Sequence, residues 1–179
     1  MANTAGESTA TTLLIPLRRG WSIWCRVLFA ASRRFAFISE PLRTQSFIHM
    51  AHWSLVRDLD GERLPRTCIY FESNFDASME EYVDVFVQAV PWHMRMVWAG
   101  GVGYPGLYPS ARYRAWSNRH GNEVHHYYAA YPEATTSEVS AALRVDERLG
   151  PFLERAGELD DEQFDVEYRR LLAEVGPWL

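Results

Sequence analysis

The sequence predicts a two-layer α+β domain, an antiparallel sheet with helices on one face. Three observations lead there. Two strand-like segments, Ser46–Val56 and Arg66–Ser73, flank the hairpin signal Asp60-Gly61. A helix follows, opened by the capping-box spacing Ser78-x-x-Glu81 and carrying Met79, Tyr82, Val83, Phe86, Val87 and Val90 at helical period. Further strand-like and helical segments then alternate to the C-terminus.

Composition sets the outer limits. The chain has 179 residues, 47% of them hydrophobic, enough for one domain with extensions. A net charge of −5 argues against a general nucleic-acid binder. The two cysteines, Cys25 and Cys68, have no metal-binding spacing, and a reducing, cytoplasmic setting is expected. Charge is uneven: Ser8–Ser39 holds five Arg and no acid, whereas acids outnumber Arg from Glu133 onward.

Residues 1–11 are small and polar and are expected to be disordered. Residues 13–38 then place Arg18, Arg19, Arg26, Arg33 and Arg34 on one half of a helical wheel. Leu17, Trp21, Trp24, Leu28, Ala31 and Phe35 fall opposite. Pro16 and Gly20 weaken the first turn, so the stable helix should begin near Trp21. Three readings fit this basic amphipathic helix. It packs on the domain, it lies in a membrane interface through Trp21, Trp24, Leu28 and Phe35, or it is an organelle-targeting peptide. Its regularly spaced Arg residues exclude a transmembrane span.

Pro91 should stop the capped helix. Trp92–Gly101 is expected as a third strand running into the turn "GGVGYPG", which matches no phosphate-binding loop. Pro109–Gly121 reads as a helix whose early part could instead be a strand. Asn122–Pro132 is expected as a strand, rich in aromatic residues. Two helices should close the chain, one capped by Thr135 and stopping at Gly150-Pro151, the other capped by Asp160 and burying Phe164, Tyr168, Leu171, Leu172 and Val175. A strand at Leu107–Tyr113 would make the core βαββαβ, the ferredoxin-like arrangement. The expected divisions are 1–40, a disordered start and basic helix; 41–133, the core; and 134–179, an acidic helical tail packed on it.

Alternation separates two sheet faces. Ile69 and Phe71, like Trp92, Met94, Met96 and Trp98, form apolar sets suited to lie beneath helices. The opposite face would carry Cys68, Tyr70 and Glu72; His93, Arg95 and Val97; and His125, Tyr127 and Tyr131. A surface both aromatic and polar suggests a second sheet packed against it from a partner subunit, with a cavity between.

"FESNFD" at Phe71–Asp76, "GGVGYP" and "YYAAYP" carry a resemblance. The chain resembles bacterial modules of unassigned activity with an F-x-S-N-[FY]-D-G-S pattern before a helix and an A-Y-P-like strand end. "SFIHMAHW" is similar to their opening strand, and the likeness covers Phe47–Pro132. Two departures stand out: Ala77 replaces the usual Gly, and Gly106–Asn122 is short for a strand plus a helix. The modules are similar to the dimeric α+β-barrel superfamily, which includes haem peroxidases and cofactor-free monooxygenases. The resemblance thus implies a homodimer and leaves haem open as a cofactor, with His49, His93 and His125 the candidate ligands. It assigns no residue a role.

The residues of the supposed polar face are the candidate catalytic set: His49, Tyr70, Glu72, His93, Arg95 and His125. Glu72 could act as an acid or base, and Arg95 could pair with it across strands. Asn74 and Asp76 suit the turn that starts the helix. His49 and His52, three apart on a strand, should point to opposite faces and so bind no common metal. The first functional expectation is an enzyme with oxidative or isomerising chemistry on a small, apolar organic molecule. The alternative is a non-catalytic binding or scaffolding module held to a membrane surface or a partner protein by the basic helix.

Overall fold

The structure is a computed structural model that describes residues 3–178. It divides into two compact units, Met1–Glu133 and Ala134–Leu179. The first is an α+β unit built on a four-stranded antiparallel sheet. Its elements are β1 (Thr4–Ala5), β2 (Ser8–Pro16), α1 (Trp21–Arg34), α2 (Ala36–Arg43), β3 (Ile48–Leu59), β4 (Glu62–Phe75), α3 (Met79–Ala89), α4 (Pro91–Trp98) and α5 (Ser110–Arg119).

The strand order is β1-β2-β4-β3. Both β2 and β3 run antiparallel to β4, hence parallel to each other. Helices α1 and α2 connect them, so this is a β-α-β unit split by the intervening strand. The β3–β4 hairpin turns at Asp60 and Gly61, with φ of 53° and 80°, the left-handed pair that such a two-residue turn demands.

The expected disordered start instead forms β1 and the beginning of β2, joined by a turn at Gly6-Glu7; Met1 and Ala2 lie outside the described residues. Thr9, Thr11 and Thr12 are β-branched and suit an extended chain. Leu13, Ile15 and Leu17 then alternate, and all three are buried. Period two therefore wins over the helical wheel as far as Leu17. Gly20, at φ 82°, redirects the chain, and α1 begins at Trp21 as expected. Its apolar side packs on the first unit: Cys25 and Leu28 are buried, and Trp21 and Phe29 touch the core.

The inner face of the sheet forms registered rows, Leu13–Phe71–Trp53 and Ile15–Ile69–Leu55. Tyr82, Val83, Phe86 and Val87 of α3, Met94 and Trp98 of α4, and Tyr113 and Trp116 of α5 pack with them in one core. Phe75 stacks on Tyr82 at 3.8 Å between ring centroids, and Trp98 meets Phe71 edge-on at 5.3 Å. The capping box at Ser78 and Glu81 forms as the spacing predicts.

Two expected strands are absent. Trp92–Trp98 is helical, because Pro91 occupies the first turn of α4, where its missing N–H has no intrahelical role. Met94 and Trp98, four apart, are buried, while Trp92 stays 66% exposed. Pro109–Gly121 takes its helical reading as α5, so no strand forms at Leu107–Tyr113. Asn122–Pro132 contains no strand either. It is tied to β2 and the residues before it by single contacts: Asn122 N–H to Thr12 C=O at 2.9 Å, Glu7 N–H to Pro132 C=O at 2.9 Å, and the Ser8 and Tyr127 hydroxyls at 2.9 Å. The outer edge of β2 is thus met by β1 and by an isolated bridge from Leu13 to Gly121.

The glycine-rich turn serves close packing. Arg18 N–H bonds Gly100 C=O and Val102 N–H bonds Pro16 C=O, each at 2.8 Å. A Cβ on Gly100 would overlap the Trp21 indole, and one on Gly101 would press on Trp116.

The second unit is a helical hairpin, α6 (Thr136–Ala156) and α7 (Asp161–Val175), followed by a 3₁₀ turn at Gly176–Trp178. Both helices open with capping boxes, at Thr135/Glu138 and Asp160/Gln163. The first does not stop at Gly150-Pro151 but carries Pro151 inside it. Phe152, Leu171 and Val175 make its small core, while Phe164, Tyr168 and Leu172 remain exposed.

Gly100→Ala should destabilise the first unit by about 1–3 kcal/mol, the usual cost of overpacking. The measurement is the midpoint of urea unfolding, and an unchanged midpoint would mean that Trp21 has room to move.

Candidate functional site on the polar face of the sheet

Alternation along β4 turns Tyr70, Glu72 and Asn74 to the face opposite the helices of the first unit. Register then sets their neighbours. Glu72 lies between Thr12 and His52, and Tyr70 lies between Leu14 and Ser54. The Tyr70 hydroxyl donates to Glu72 Oε2 at 3.1 Å. Ser54 Oγ and His52 Nε2 are 3.1 Å apart, and the His52 ring meets Tyr70 edge-on at 6.2 Å. Tyr70 and Glu72 are half-buried and His52 is exposed, so the face is open enough for a ligand to reach all three.

Burial first, and then the adjoining Glu72 carboxylate, raise the Tyr70 phenol above its ordinary range; a hydrogen bond with Thr12 pulls weakly the other way. The group therefore stays a neutral donor at physiological pH. A carboxylate, a phenol and an imidazole on adjoining positions can take a proton, donate a hydrogen bond and shuttle a proton.

Only two of the six candidate residues, Tyr70 and Glu72, come together here. His49 falls at a register shift between Ile48 and Met50, and its Nε2 pairs with Asp76 Oδ1. Asp76 thus ties the start of β3 to the corner before α3, beyond the turn role expected of it. His93 and Arg95 sit on helix α4, on the other layer, so the expected Glu72–Arg95 pair across strands does not exist. His125 lies exposed in the irregular Asn122–Pro132 segment.

His52, Ser54 and Thr12 are the members that sequence reasoning left out. The first two could have been found by continuing the alternation of β3 from Met50. Thr12 fell between the start expected to be disordered and the segment read as helix.

His49, His93 and His125 occupy a β-bulge, a helix and a loop. Among the described residues, no group of three or more His, Cys, Asp or Glu is placed to hold a metal ion. His93 alone lines an apolar groove, of about 160 Å³. That is below the roughly 300 Å³ at which ordinary ligand pockets begin, so a haem does not fit there. Neither thiol is poised as a nucleophile: burial raises both, Cys25 to about 11. No helix of the described residues is long and apolar enough to cross a membrane.

Compared with known proteins, the chain matches no family model, no curated protein and no solved structure.

Glu72→Gln should lower the Tyr70 pKa towards that of free tyrosine, because it removes the adjoining charge. Tyrosinate absorbance at 295 nm, titrated in both proteins, would show one group ionising earlier in the variant. The raised pKa also stabilises the fold at pH values below the ordinary tyrosine range, and this contribution is lost as pH climbs through the folded value. Identical titration curves would mean that Glu72 does not act on Tyr70.

Proposed function

We propose that the chain is a small-molecule enzyme of the dimeric α+β-barrel kind, with isomerising chemistry on a largely apolar organic substrate. The observation that carries this reading is the registered group Thr12, His52, Ser54, Tyr70 and Glu72 on the sheet face turned away from the helices. A second copy laid sheet to sheet would close that face and exclude water, which strengthens each electrostatic contact within it. Such closure is the property a ferredoxin-like dimer would supply.

In this reading Glu72 is the base. Its carboxylate removes a proton from carbon beside a carbonyl, and the electron pair moves towards the carbonyl oxygen. The Tyr70 hydroxyl turns from Glu72 to donate to that oxygen as charge develops there. The proton returns from Glu72, directly or through His52, to the γ carbon of a β,γ-unsaturated carbonyl substrate, whose double bond moves into conjugation. No electron leaves the substrate, so isomerisation needs no oxidant; an oxidative reaction would require one.

The alternative is a binding module held to a membrane surface or a partner protein by the basic helix. Leu28 is buried and Trp21 packs against the core, so such a contact would fall to Trp24 and Phe35.

The test combines native mass spectrometry with a thermal-shift screen of small carbonyl compounds on wild-type protein, Tyr70→Phe and Glu72→Gln. A dimer is expected, with at least one compound that stabilises the wild type. Both variants should remain dimeric, and turnover of that compound, followed by proton exchange into deuterated water, should fall by about 100-fold, the scale of one general base. A monomer, or a ligand that all three proteins bind and exchange equally, would overturn the proposal.

A further inference from the structure

A second site lies on the helical layer, separate from the sheet face. Helices α1, α2 and α4 leave an open groove of about 160 Å³ above Trp53. Its walls include Leu28 and Phe29 of α1, Ile38 and Leu42 of α2, and His93 of α4. Two serines also line it, but both hydroxyls are engaged with their own helices: Ser32 donates to Phe29 C=O at 3.0 Å and Ser39 to Ala36 C=O at 3.1 Å. The groove therefore offers an incoming group an almost wholly apolar surface, with His93 its one ionisable member. Its volume is about that of a cavity known to accept a benzene ring.

The surroundings are not neutral. Arg26 and Arg33 stand three and four residues from Phe29, so both share the flank of α1 on which Phe29 enters the groove. Both are exposed. Glu40 is the single carboxylate on α1 and α2 together. An apolar slot whose bordering helix carries two exposed arginines at helical spacing from Phe29 complements a molecule with an apolar tail and an anionic head.

We infer that this groove binds the tail of a small anionic amphiphile, a short alkyl or aryl carboxylate, whose head lies at Arg26 and Arg33. The tail displaces water from Leu28, Phe29, Ile38 and Leu42. The carboxylate takes charge-assisted hydrogen bonds from the guanidinium groups at the mouth.

Octanoate is a suitable probe, titrated calorimetrically into the full-length protein, with octan-1-ol as its uncharged counterpart. One saturable site is expected for octanoate, and octanol should bind at least fivefold more weakly. Arg26→Gln combined with Arg33→Gln should weaken octanoate at least fivefold and leave octanol unchanged. Ser39→Trp, which fills the groove from α2, should abolish both; Val97→Phe fills it from α4 and serves if the first variant loses its circular-dichroism spectrum. Absence of saturable octanoate binding would overturn the inference, as would full binding to the filled variants. Equal affinity for octanoate and octanol would remove the anionic head. A parallel sedimentation with vesicles of phosphatidylcholine and phosphatidylglycerol separates the lipid source: vesicle binding unaffected by groove filling, together with no octanoate site, would assign the basic flank to a membrane surface instead.

Discussion

Strand β4 is the constraint on which the first unit depends. It lies between β2 and β3, so from Cys68 to Phe75 its backbone groups are paired along both sides. Its alternate side chains then decide what each layer of the unit can be. Ile69, Phe71 and Phe75 point into the helical core, while Tyr70, Glu72 and Asn74 point the other way. A slip of one residue would bury a carboxylate and expose three large apolar groups, a change no neighbouring contact could offset. Ser73 shows how tightly the register is held: it is fully buried on the inner face, and its hydroxyl bonds Met50 C=O at 2.9 Å, beside the bulge that displaces His49.

The helical layer follows from the row that β4 presents. Phe71 offers a broad aromatic surface, met by Trp53 from the adjoining strand and by Trp98 from α4. Phe75 does the same for Tyr82 at the start of α3. Large rings packed at these angles leave little freedom for sliding, so the sheet fixes where α3 and α4 lie over it. The glycines after α4 then let Trp21 and Trp116 approach the backbone, and this closes α1 and α5 over the same core. The groove beside α1 is what remains where α1, α2 and α4 converge without a ring to fill the space between them.

The two proposed sites differ in chemistry because they belong to different layers. The sheet face is polar, spread over three strands and dependent on register. The groove is apolar, bounded by helices and bordered by arginine. An enzyme that handles an apolar carboxylate could use both, one for chemistry and one for binding at a distance, but each has its own residues and can fail on its own.

Local chemistry made much of the first unit legible. The hairpin at Asp60-Gly61 could be read because only a left-handed pair closes a two-residue turn, and the capping boxes at Ser78, Thr135 and Asp160 because unsatisfied helix N–H groups demand them. The two faces of β4 were equally plain, since alternation is a property of any extended chain and by itself puts Tyr70 and Glu72 on one side. Other segments carried two periodicities at once. Met94 and Trp98 fit a strand face and a helix face alike, and Pro91 in the first turn together with the Phe71 ring waiting in the core favours the helix. The threonine-rich start has little apolar surface of its own to order it, and it becomes strand because β4 has an open edge to pair with. Asn122–Pro132 has strand-forming residues but meets the outer edge of β2 only through an isolated bridge and single hydrogen bonds, and stays irregular. Sequence by itself determined the hairpin turn, the caps and the two faces of β4, which depend on near neighbours; tertiary structure decided which ambiguous segments found a backbone or a ring to complete them, because that depends on partners far away along the chain.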